Sequence, residues 1–193
     1  MTTSESGGMA NGRSDEPTVL LVGFMASGKS TVGSELARRT GWALVDVDQA
    51  IEERTGHDIP TLFATRGEAW FRELEAEVTG AALDLHGCVV VPGGGWAAVE
   101  GRLESLPSHV LSVWLGVGAA EAVRRSRRDG PGRPLLDQAG DPLSRARSLL
   151  EAREPHYRKA ALHLDTEGRV PVEVADAILE HLRRTRPPAK REP

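Results

Sequence analysis

The chain is short of the features that secreted, membrane and nucleic-acid-binding proteins depend on. It has one cysteine, Cys88, among 193 residues, so no internal disulfide can form and a reducing cytoplasm is the expected compartment. No apolar run approaches the roughly 18 residues that a membrane span needs, and no membrane partner is expected. A surplus of positive charge is missing too: 24 basic residues stand against 28 acidic ones, a net charge of −4, so no global field favours nucleic acid. The N-terminal stretch "MTTSESGGMANGRSDEP" has no apolar h-region and does not read as a secretory signal.

What remains suits one α/β domain, since 39% of the residues are hydrophobic and the length supports a single sizeable core. A polar extension is expected over 1–17 and a polar tail over 185–193, with the domain over 18–184. Continuous apolar runs at Thr18–Val22, Ala43–Asp46, Cys88–Val91, Val110–Leu115 and Ala161–Asp165 predict strands of a parallel sheet covered on both faces. Helical periodicity fills the gaps. Phe71, Leu74, Val78, Ala82 and Leu85 share one predicted face, and Val172, Ala175, Ile178 and Leu182 share another. This alternation implies a doubly wound sheet with ligands beyond the carboxyl ends of its strands.

The most informative stretch is "GFMASGKST", Gly23–Thr31. It satisfies G-x-x-x-x-G-K-[ST] between a predicted strand and a helix that Gly41 ends, the context in which this pattern holds a nucleoside triphosphate. Glycine lets successive N–H groups point inward, and the helix N-terminus adds the positive end of its dipole. Lys29 reaches the β- and γ-phosphates in such a loop, and Ser30 offers its hydroxyl to Mg²⁺. Beyond the second strand, "DVD" brings Asp46 and Asp48 to the ligand edge. One carboxylate there can hold Mg²⁺ through water while the other deprotonates an attacking hydroxyl, or one can simply cap the next helix.

Arg72 and Glu75, three residues apart, are neighbours on one helix face. They read either as a solvated ion pair or as an arginine aimed by its partner at an anionic substrate. Gly93, Gly94 and Gly95 let a ligand lie against bare backbone, or form a plain turn. "VRRSRRDGPGRPLL" has too few aromatics for a nucleic-acid patch and reads as a loop carrying Arg133 onto the triphosphate. Arg153 precedes Pro155 at a helix end, and Arg169 follows the last strand in a loop. The histidines lack ligand spacing. Trp42 and Trp114 are expected in the core, with Trp70 and Trp96 beside the pocket.

In this order, "GFMASGKST", "DVD", "FRELE", "GGG", "RPLL", "REPHY" and "DTEGRVP" resemble the shikimate kinases over about residues 18–182. The resemblance implies a nucleoside-monophosphate-kinase-type P-loop fold. Its sheet has five parallel strands, with a small substrate-binding insert over about 47–80 and a lid over about 124–138. It implies phosphorylation of the 3-hydroxyl of shikimate by ATP with Mg²⁺, in aromatic amino-acid biosynthesis, by a monomer. By position, Ala26, Ser27, Gly28, Lys29, Ser30 and Thr31 hold the ATP phosphates, and Ser30 and Asp46 hold the metal. Asp48 binds the shikimate hydroxyls and acts as base. Arg72 and Arg153 clamp the carboxylate, and Gly94, with Gly93 and Gly95 on either side, lies against the ring. Arg133 reaches the phosphates, while Arg125 and Arg169 flank the adenine.

Three positions depart from the family. Ala26 replaces a glycine, where it is expected only to tighten the loop, and Pro92 removes a backbone donor. Trp96 replaces a small residue and is expected to reshape the pocket wall. A guanine-reading N/T-K-x-D run is missing, which excludes a regulatory GTPase. Another small-molecule P-loop kinase, or a non-catalytic nucleotide-binding module, remains the alternative.

Overall fold

The computed structural model describes residues 16–128 and 141–185. Five strands form one parallel sheet: β1 (Thr18–Val22), β2 (Ala43–Asp46), β3 (Cys88–Val91), β4 (Val110–Gly116) and β5 (Leu162–Asp165). Their order is β2-β3-β1-β4-β5, so β1 is central and the order reverses beside it. The strands match the predicted runs, with β4 one residue longer and β5 one residue shorter.

Side chains alternate across a strand, and β1 feeds two cores. Leu20 and Val22 face the layer built by α2 (Val47–Thr55), α3 (Ile59–Arg66), α4 (Glu68–Leu83), α5 (Ala119–Arg128) and α6 (Pro142–Tyr157). Val19 and Leu21 face the layer built by α1 (Lys29–Thr40) and α7 (Pro171–Thr185). All five residues of β1 are buried, as expected of a central parallel strand.

Helix ends follow local chemistry. Gly41 and Gly56 close α1 and α2 in the left-handed conformation that glycine adopts without steric cost. Asp58 and Asp141 cap α3 and α6 by accepting from backbone N–H groups. Gly33 is mid-helix because a Cβ there would lie 2.9 Å from Val91 Cγ2, so α1 sits tightly on the sheet.

Three predicted packing positions are corrected. Leu85 lies beyond the end of α4 and is 45% exposed, and Val172 is 47% exposed because Val174, not Val172, joins Ala175 and Ile178 in the core. Trp96 is 5% exposed in the first core, in a short 3₁₀ turn after the triple glycine. It packs in the core and does not form an open pocket wall.

Candidate active site

The phosphate loop owes its path to three backbone positions. Gly23 has φ 145°, and a Cβ on it would lie 2.5 Å from the Leu115 carbonyl oxygen, so no larger residue fits. Gly28 has φ 90° and opens α1 without any side-chain cap, which leaves the first-turn N–H groups directed at the loop. Ala26 is the one non-glycine residue with positive φ, 56°, among the described residues. It therefore does more than tighten the loop. It holds an L-residue in the left-handed region at a cost of about 1–2 kcal/mol. Ala26→Gly should raise the midpoint of urea unfolding, with a gain of about 0.5–1 kcal/mol after the entropy of glycine is deducted. An unchanged or lower midpoint would show that the loop relaxes around Ala26 at no cost.

Within this loop the Lys29 ammonium donates to the carbonyls of Gly23 and Phe24, at 3.0 and 3.1 Å. The Ser27 hydroxyl is buried with no hydrogen-bond partner among the described residues. Such a buried orphan is uncommon in a native protein and fits a loop shaped for phosphate oxygens. Ser30 Oγ donates to Asp46 Oδ2 at 2.8 Å, joining the start of α1 to the end of β2. Thr31 is exposed on the first turn of α1.

Asp46 also caps α2, accepting from the Gln49 N–H at 3.4 Å. The capping reading of "DVD" thus holds for Asp46, which also accepts from Ser30. Asp48 falls in the first turn of α2, directly across from Gly93. Burial pushes its carboxyl up to about 6, with Glu75 and then Asp46 adding to the rise and Lys29 and Arg72 opposing it. A carboxyl poised there releases and takes up protons near working pH, as a general base requires.

The Arg72–Glu75 pair is not a solvated one. Glu75 is fully buried, and its Oε2 accepts from Arg72 Nη1 at 2.8 Å. Its Oε1 has no hydrogen-bond partner among the described residues and would lie 2.5 Å from a Cβ at Gly93. Burial raises its carboxyl, while Arg72, Arg102 and Arg153 act against that rise. The other edge of the Arg72 fork meets Glu68, with Nη2 at 3.2 Å and Nε at 3.4 Å. The Glu68 side chain is 66% exposed, so water screens this contact and an incoming anion displaces it at little cost.

The triple glycine is the floor between these groups. A Cβ at Gly93 would meet Glu75 and Asp48, one at Gly95 would meet the Arg72 guanidinium at 2.8–2.9 Å, and one at Gly94 would lie 3.2 Å from the Gly23 carbonyl. Gly94 thus abuts the phosphate loop itself. Its carbonyl accepts from the Tyr157 hydroxyl, a group that burial pushes up to about 12. Arg153, on α6, lies near enough to oppose that rise.

Arg125 reaches the opposite end of the loop. Its guanidinium donates to the Ala26 carbonyl at 3.4 Å, to Thr166 Oγ1 at 3.1 Å and to the Thr166 carbonyl at 2.8 Å, with Glu121 on Nε at 2.7 Å. Arg169 is exposed in the turn that begins at Thr166. Arg133 and most of the predicted lid lie outside the described residues. Tyr157 and Thr166, which brace the site, were not anticipated from sequence, because neither stands in a spacing that marks a ligand. The oxygen pair Ser30–Asp46 suits a hard cation such as Mg²⁺, which takes one or two protein ligands and completes its shell with phosphate and water.

Comparison with known proteins agrees with this geometry. A family model described as shikimate kinase matches residues 25–183. The shikimate kinase of Mycobacterium avium is 44% identical over 168 residues, covering 86% of this chain and 93% of the relative. That of Synechococcus is 40% identical over 162 residues, covering 84% and 82%. Among solved structures, the shikimate kinase of Acinetobacter baumannii in complex with shikimate aligns with a TM-score of 0.81 at 33% identity, over 88% of this chain and 94% of that one. A gluconokinase from Sinorhizobium meliloti aligns with a TM-score of 0.59 at 20% identity, a likeness of fold alone. With its phosphate loop, paired aspartates and triple-glycine floor in one cleft, the chain belongs to the shikimate kinase family.

Proposed function

We propose that the chain transfers the γ-phosphoryl group of ATP to the 3-hydroxyl of shikimate, giving shikimate 3-phosphate and ADP. One observation carries the reading: Gly94 abuts the Gly23 carbonyl of the phosphate loop, so an acceptor resting on the triple glycine lies beside the phosphates. Arg72, paired with Glu75, and Arg153, whose charge also acts on Glu75, receive the carboxylate of the acceptor. That turns its hydroxyl toward Asp48, which takes the proton. The hydroxyl oxygen then bonds to the γ-phosphorus as the bond to the bridging β–γ oxygen breaks, and ADP leaves with that electron pair.

Lys29 moves from the loop carbonyls to the β- and γ-oxygens and offsets their charge. Ser30 and Asp46 would hold Mg²⁺, which when bound neutralises phosphate charge. Arg125 and Arg169 flank the adenine. The enzyme works in the cytoplasm, a reading supported by the lone cysteine, Cys88, whose buried thiol is pushed up to about 11.

An ADP-release assay tests this against a panel of shikimate, other hydroxy acids and nucleoside monophosphates. Shikimate should stand out by kcat/KM. A better substrate elsewhere in the panel would move the chain to another acceptor. In the same assay, Arg72→Lys should raise the shikimate KM far more than the ATP KM, because a point charge cannot replace a planar fork. Equal rises in both would reduce Arg72 to a structural partner of Glu75.

A further inference from the structure

One arginine beside the site has no part in the reaction described so far. Arg102 is half-buried beyond the 3₁₀ turn. Its guanidinium carbon lies 5.2 Å from the centre of the Trp96 ring, and its Nη1 donates to the Trp96 carbonyl at 2.9 Å. Burial works against its charge, Glu75 favours that charge, and Arg72 opposes it. Arg102 therefore belongs to the electrostatic cluster that faces the triple glycine, although it lies outside every motif of the sequence.

Among the described groups here that are at least half-buried, positive charge outnumbers negative. Three guanidinium groups, those of Arg72, Arg102 and Arg153, act on the buried carboxylate of Glu75; Asp48 lies across the floor, and Glu68, on the outer edge of Arg72, is 66% exposed and screened by water. Like charges brought together out of water repel, and a ligand of opposite sign relieves the repulsion. The indole face and the Trp96 carbonyl hold the third cation in place, since a cation on a tryptophan face is attracted by the ring's negative quadrupole. Trp96 is thus a seat for Arg102, which gives this bulky residue a purpose where burial removes it from the pocket wall.

We propose that Arg102, held on Trp96, is a specificity-determining residue that adds a third positive charge to the acceptor's carboxylate subsite. It acts through the field and through the position of the glycine floor, without touching the reacting hydroxyl. The proposal rests on the reading that Arg72 and Arg153 receive a carboxylate.

The test compares the wild-type protein with Arg102→Met, which keeps the stem and loses the charge, and with Arg102→Lys, which keeps the charge. Each is assayed with shikimate and with its neutral methyl ester, as substrates and as ligands followed by tryptophan fluorescence, after a thermal melt. Arg102→Met should raise the shikimate KM about tenfold, the order expected for one partly screened charge at moderate range. The ATP KM should stay within twofold, Arg102→Lys should recover most of the loss, and the ester should bind wild type and Arg102→Met alike. Should Arg102→Met not fold, Arg102→Gln is read in the same way.

Equal losses on acid and ester, or equal rises in both KM values, would make Arg102 a packing residue and overturn the proposal. A wild-type protein that prefers the acid, with the preference intact in Arg102→Met, would overturn it while leaving the Arg72–Arg153 clamp standing. A wild-type protein indifferent to the ester would instead bring down the clamp, and the proposal with it.

Discussion

Lys29→Ala should lower kcat by about 10²–10⁴ with little change in fold stability. The reaction gives a protein few covalent tasks, so its rate comes from positioning and from charge offset on the moving phosphoryl group. Lys29 is the first residue of α1, and two carbonyls of the phosphate loop, those of Gly23 and Phe24, hold its ammonium within that loop. Alanine at this first residue of α1 suits a helix, so the backbone should keep its course. Steady-state turnover with saturating ATP and shikimate, beside a thermal melt, is the measurement. Wild-type turnover in the variant would remove the loop lysine from the chemistry, whereas a large fall in melting temperature would make the loss one of folding.

Asp48→Asn should have two effects of opposite sign. Turnover should fall about 10²-fold or more, the range of a lost general base. Stability at neutral pH should rise. In the folded protein Asp48 ionises near 6 rather than at the 3.8 of an unperturbed aspartate, so folding disfavours its charged form. That penalty is nil below pH 4, grows as pH rises toward 6, and is complete above it. Its full size is about 1–3 kcal/mol. The variant should therefore be more resistant to urea at pH 8, with the gain vanishing toward pH 4. Wild-type kcat/KM should fall on the acid side with an apparent value near 6. A change in KM alone would make Asp48 a binding residue, and equal stabilities at pH 8 would mean that its carboxylate is well solvated.

The inner strands β1 and β3 were legible because each is a short, fully buried apolar run, while the edge strands β2 and β5, only partly buried, were legible from the strand–helix alternation around them. The ends of the buried helix faces were less so. Leu85 and Val172 continue a helical period, but the α4 helix stops at Leu83 and the first turn of α7 turns Val172 outward. The phosphate loop was readable from its glycines and lysine alone. Arg72 and Glu75 were readable as neighbours but not as a buried pair, because an i, i+3 spacing is the same on a wet face and a dry one. What buries Glu75 is the triple glycine, which arrives from another strand. The left-handed turn at Ala26 and the seat of Arg102 on Trp96 follow from tertiary contacts that no local pattern announces.

The position of β1 sets the order in which the molecule can assemble. This strand is synthesised first, yet its two partners are β3 and β4, each far along the chain, with Val19 beside Val89 and Leu111. It cannot be hydrogen-bonded on both edges until β4 has left the ribosome, and non-local parallel pairing of this kind is slow. Gly23 is fixed against the carbonyl of Leu115, at the end of that same late strand. The nucleotide-binding loop, encoded near the start, therefore takes shape only after well over half of the chain has been made. Until then its apolar strand is exposed, open to capture by chaperones or to pairing with the wrong partner.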